Sequence, residues 1–183
     1  LVHYLRGDYA ELMAATKIAY PQRPSAADPK VMEKVETEDC VMLLAQMQNG
    51  ALGTIEATKI ATGTEDELSF DIHGSKGALR FNGMEPHYLK VYEGDKPDKP
   101  IGGMRGWTRI DCGQRYPAPA SGFPSPKMAI GWIRAHMACL HNFLADVAAG
   151  NPGNPGLAQG VYIQKLVERT RQAAAGRRWL SID

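Results

Sequence analysis

This chain is short of single-sign charge, of long apolar runs and of cysteine, and each scarcity removes a class of function. Lys and Arg number 21 against 20 Asp and Glu, a net charge of +1 over 183 residues. No basic field for nucleic acid follows from that balance, and no dense Lys/Arg face is visible, so nucleic acid is not an expected partner. No apolar stretch approaches the roughly 20 residues that span a bilayer, so no membrane partner is expected. Three cysteines, Cys40, Cys112 and Cys139, form an odd set without paired spacing. The reading is reduced thiols and a cytoplasmic location. Catalytic signatures are equally sparse. Ser75 and Ser121 have no base at a readable spacing. His136 and His141 lie roughly 140° apart around a helix and do not converge on a metal. No catalytic and no metal-binding residue is assigned.

Strand patterns fill the middle of the chain. Leu68, Phe70 and Ile72 alternate with Ser69, Asp71 and His73, the period of a half-buried strand. Gly74-Ser75-Lys76-Gly77 then reads as a tight turn in which glycine supplies positive φ, and Ala78 to Phe81 resumes the strand. Upstream, Cys40 to Met47 and Leu52 to Thr58 flank Gln48-Asn49-Gly50, a hairpin signal whose Asn and Gly both tolerate the left-handed conformation. Glu11 to Lys17, Tyr88 to Tyr92, Trp107 to Asp111 and Arg178 to Ile182 are further strands. Residues 21 to 34, 97 to 106 and 117 to 126 read as Pro-containing loops.

Two helices follow. Ile130, Ile133, Met137, Leu140, Leu144 and Val147 recur at three and four, with Gly150 as the stop. Val161 to Ala175 is the second helix, capped by Gly176. Strands followed by helices predict an α+β fold, a largely antiparallel open sheet with helices on one face. The Cys40 to Met47 strand is apolar on both sides, Val41, Leu43, Ala45 and Met47 on one and Met42 and Leu44 on the other. A large apolar face left bare marks an interface. A homo-oligomer through the open sheet face is therefore expected, the alternative cover being loops of the same chain.

Glu38-Asp39, Asn49-Gly50-Ala51-Leu52-Gly53-Thr54-Ile55-Glu56 and His73-Gly74-Ser75-Lys76-Gly77-Ala78-Leu79, in that order and spacing, resemble the C-terminal domain of the Gfo/Idh/MocA oxidoreductases. The resemblance continues through Phe143 to Gly150 and Arg177 to Ile182. It implies one C-terminal substrate and oligomerisation domain over residues 1–183, from an enzyme acting on a sugar, polyol or related hydroxy compound. NAD or NADP would be held by an N-terminal Rossmann half absent from this chain. The glycine clusters at 102–106 and 150–156 do not follow a strand and open a helix, so no cofactor is expected on the chain itself. Leu1 to Gly7 reads as the end of a helix whose catalytic Asp-x-x-x-His motif, in the resembled family, would lie before Leu1. The isolated chain is expected to be inactive. A non-catalytic ligand-binding or oligomerisation domain is the alternative.

Three residues are substrate-binding candidates. Lys59 ends the Leu52 to Thr58 strand, whose end in the resembled family can face the substrate cleft, where an ammonium could hold a hydroxyl or carboxylate; the plainer reading is a solvated lysine. Trp132 and His136, four apart on one helix face, suit stacking on and hydrogen bonding to a small polar molecule; the plainer reading is packing at a helix–sheet border. His87, Arg109, Arg115 and Tyr116 have suitable types but no geometry fixed by sequence.

Overall fold

The computed structural model describes residues 3, 7–100 and 103–182. Ten strands and two helices occupy them. The strands are β1 (Tyr9–Lys17), β2 (Gln22–Pro24), β3 (Met32–Lys34), β4 (Cys40–Met47), β5 (Leu52–Thr58), β6 (Ser69–Gly74), β7 (Gly77–Asn82), β8 (Tyr88–Glu93), β9 (Trp107–Asp111) and β10 (Leu180–Ser181). The helices are α1 (Trp132–Ala149) and α2 (Leu157–Gly176). Among the described residues every strand pairing is antiparallel, and the fold is α+β. The strands divide into a four-stranded sheet ordered β10-β1-β4-β5, a β2-β3 ribbon and a second four-stranded sheet ordered β6-β7-β8-β9.

The chain forms two compact units, residues 1–63 with 155–183 and residues 64–154. In the first, the alternation of β4 sorts as its sequence requires. Ala45 and Met47 are buried with Leu12 and Ala14 of β1 on the inner face, where Tyr162, Leu166, Ala173 and Ala174 of α2 pack over them. The other face stays bare: Met42 is 56% exposed, Leu44 43% and Leu52 77%. In the second unit, β6 to β9 run as a meander, placing Phe70, Ile72, Leu79, Phe81, Leu89, Val91 and Ile110 on one side by register.

Several local readings needed correction. The loop at 21–34 contains the short β2-β3 ribbon, because Pro24 sits at a strand end where its missing N–H costs little. In the β4-β5 hairpin only Gly50 takes positive φ (83°), while the Asn49 side chain accepts the Ala51 N–H at 3.1 Å. Neither Gly74 nor Gly77 has positive φ. Gly77 is needed for space instead: a Cβ there would stand 2.2 Å from the Tyr92 carbonyl oxygen on the adjacent strand. The stripe on α1 is not a core stripe; Ile133 is 84% exposed and Leu140, Leu144 and Val147 are also exposed. Most of the expected N-terminal helix lies outside the described residues; His3 is helical and accepts the Gly7 N–H at 2.9 Å.

α2 ends one residue later than read. Gly176 is its last helical residue, and Arg177 takes the left-handed cap at φ 48°. A side-chain-bearing residue in that conformation is strained by about 1 kcal/mol relative to glycine. Arg177→Gly is expected to raise stability by about that amount, read as a higher urea midpoint at unchanged slope.

Candidate functional site

Glu38-Asp39 precedes β4, and Asp39 is buried. Its carboxylate accepts the N–H of Ala19 at 2.8 Å and of Tyr20 at 3.3 Å, and the Arg23 guanidinium bonds its other oxygen. The Asp39 carbonyl accepts the Lys59 N–H at 2.9 Å. One residue thus ties the chain after β1, the β2 strand and the exit of β5, fixing where Lys59 leaves the sheet. Glu38 faces Arg171 of α2 at 3.8 Å. Lys59 itself is exposed.

The Ala19 N–H, joined by that of Tyr20 and the charges of Arg23 and Lys59, outweighs burial and holds the Asp39 carboxyl below the usual carboxylate range. A depressed folded-state pKa adds stability that is present above the ordinary aspartate value, about 4, and is lost as pH falls through the native value. The thermal midpoint should therefore drop on acidification below about pH 4. Asp39→Asn should be less stable at neutral pH and shallower on the acid side, a difference that circular dichroism melts across pH resolve.

Trp132 and His136 open α1. Their rings lie 6.2 Å apart at 32°, and both are exposed, Trp132 at 43%. Trp132 also passes 3.5 Å from where a Cβ on Gly83 would be. The helix start is set by Arg134, only 6% exposed. Its guanidinium donates to the carbonyls of Met128 at 2.8 Å, Ala129 at 3.2 Å and Ala120. It organises the proline-rich connection that delivers Trp132. Sequence reading missed this residue because an arginine in a helix's first turn resembles a solvated one.

The structure joins Trp132 with His136 in the second unit, and places Lys59 in the first. Among the other candidates, His87 Nε2 meets Asp111 at 3.0 Å and Tyr116 donates its hydroxyl to the Pro86 carbonyl at 2.6 Å. The Gly113 N–H at 2.9 Å, then His87, keeps Asp111 below the usual carboxylate range against burial. Arg109 lies 3.5 Å over the Tyr88 ring and 3.5 Å from Glu85. On α2, the Tyr162 hydroxyl accepts the Tyr9 N–H at 2.8 Å, and burial pushes Tyr162 above the usual phenol range.

A dinucleotide needs a parallel βαβ crossover with a glycine-rich turn at the helix start. The described strands pair only in antiparallel fashion, so these residues do not fit such a cofactor. Among the described residues no three His, Cys, Asp or Glu side chains cluster to hold a metal ion, and no helix is long and apolar enough to cross a membrane.

An all-antiparallel α+β chain carrying these motifs defines a class. The chain belongs to the oxidoreductase family (Gfo/Idh/MocA) as its C-terminal alpha/beta domain, which matches over residues 1–182. It is 27% identical over 196 residues to the levoglucosan dehydrogenase of Pseudarthrobacter phenanthrenivorans, covering all of this chain and 48% of that protein. A levoglucosan dehydrogenase solved with NADH and L-sorbose superimposes with a TM-score of 0.88 at 26% identity, over 100% of this chain and 47% of the other. An oxidoreductase domain protein from Kribbella flavida shares the fold, with a TM-score of 0.87 at 24% identity over 100% and 47% of the two chains. The chain spans about half the length of the relatives it matches.

Proposed function

We propose that this chain is the substrate-side and assembly half of an NAD- or NADP-dependent oxidoreductase that acts on a sugar, polyol or related hydroxy compound. The observation that carries this is the family match along residues 1–182, joined to the 27% identity with a levoglucosan dehydrogenase. The two compact units serve together as one C-terminal domain. The nicotinamide cofactor supplies the hydride chemistry and sits on a separate nucleotide-binding half.

In this reading Trp132 stacks on the apolar face of the sugar ring, and His136 hydrogen-bonds a hydroxyl. Their exposure favours this role over packing. Lys59, whose backbone is tied to Asp39, is a separate candidate in the first unit for holding a hydroxyl or carboxylate. The bare face of Met42, Leu44 and Leu52 meets a second copy, and the free thiols fit a cytoplasmic protein.

The test is an assay of the protein joined to its nucleotide-binding half, with NAD or NADP and a panel of levoglucosan, hexoses and polyols. Reduced cofactor should accumulate with at least one of them, and a blank panel would refute the reading. The 183-residue chain alone should show no turnover and no cofactor heat in calorimetry; micromolar affinity would contradict the division of labour. Light scattering after size exclusion checks the assembly, and a clean monomer at micromolar concentration ends the interface proposal.

A further inference from the structure

One concavity in the second unit is left unused by this reading. It is an open hollow of about 250 Å³ whose lining includes Phe81, Leu89, Tyr116 and Pro117. Cys112 lines it, and Arg115 is the charged residue of its lining.

The walls are pinned in place. The Tyr116 hydroxyl is held by the Pro86 carbonyl at 2.6 Å, and the Arg115 N–H by the Cys112 carbonyl at 2.9 Å. The Cys112 N–H meets the His87 carbonyl at 2.8 Å, while His87 bonds Asp111 at 3.0 Å. A cavity held by this many bonds is preformed, so a ligand would lose little in ordering it.

Its chemistry is one-sided. The lining offers mostly aliphatic and aromatic carbon. The Arg115 side chain makes a 3.3 Å bond to the Asp111 carbonyl through Nη1, and its charge also helps hold the Asp111 carboxyl below the usual range. A guanidinium carries five donors, so its fork has capacity for an anion. We propose that this pocket is a second small-molecule site, for a monocarboxylate with a compact apolar body. The body sits on Phe81 and Leu89, and the carboxylate reaches Arg115 at the rim. This inference does not rest on the dehydrogenase reading.

Cys112 supplies an internal reporter, and the exposed Cys139 an internal control. The probes are benzoate and its neutral analogue benzyl alcohol. Benzoate should slow alkylation of Cys112 by iodoacetamide while leaving Cys139 unchanged, and benzyl alcohol should protect roughly fivefold less well, the weight of one charge-assisted contact at a wet rim. Arg115→Met keeps the aliphatic stem and should erase the difference between the probes, whereas Arg115→Lys should retain it. If Cys112 reacts too slowly to follow, the Leu89 methyl resonances report the same titration. Equal protection by both probes, equal slowing at Cys139, or no response at either reporter would overturn the proposal.

Discussion

Gly77→Ala should destabilise the chain by about 3 kcal/mol, at the upper end for inserting a methyl into a filled space. The added Cβ would meet the Tyr92 carbonyl oxygen at 2.2 Å, the Tyr92 carbonyl carbon at 3.3 Å and the Glu93 Cα at 3.6 Å. These are backbone atoms, and no rotamer change removes them. Relief requires β8 to move away from β7, breaking the register in which Gly77 faces Glu93 and Leu79 faces Val91. The Gly94 N–H bond to the Lys76 carbonyl, 2.9 Å, closes the same corner and would be stretched as well. Urea titration with hydrogen exchange on β6 to β9 would register the loss. A midpoint unchanged from the parent would mean that β7 and β8 do not approach as described.

Leu12→Ala should cost a similar amount, about 3 kcal/mol, through lost burial and the cavity left behind. Leu12 is 0% exposed on β1, opposite Ala45 on one side and Leu180 on the other. Its core neighbours include Ala14, Ala45 and Ala173. Alanines have no side-chain torsion with which to fill a gap, so the space stays open. Leu12→Met, which nearly conserves volume, should lose under about 1.5 kcal/mol. Equal losses for the two variants would show that the site tolerates collapse.

Much of this fold was legible in the chain because its signals are local. Cys40 to Met47, Leu52 to Thr58 and Trp107 to Asp111 begin and end in the structure where alternation and turn residues place them. Gly150 stops α1 in the left-handed conformation, φ 67°. The two faces of β4 also sorted as read. A strand period of two leaves no other assignment once one side meets a helix.

The candidate site was legible only as residue types. Trp132 and His136 share a face by helical spacing, and that was readable. Arg134 bonding loop carbonyls, and Asp39 gathering Ala19, Tyr20 and Arg23, depend on chain segments that no spacing rule connects. Gly77 shows the same limit: its glycine was visible, but its reason belongs to the neighbouring strand.

The sequence by itself determined the α+β class, the antiparallel hairpins, the family and the near-neutral charge, since each follows from periodicity, turn chemistry, motif order or a count. Only the tertiary structure decided that the strands divide into two four-stranded sheets, that the α1 stripe lies exposed, and that Cys112 and Arg115 line one pocket. Those outcomes depend on which distant surfaces meet, and burial is a property of the pair of surfaces rather than of either segment.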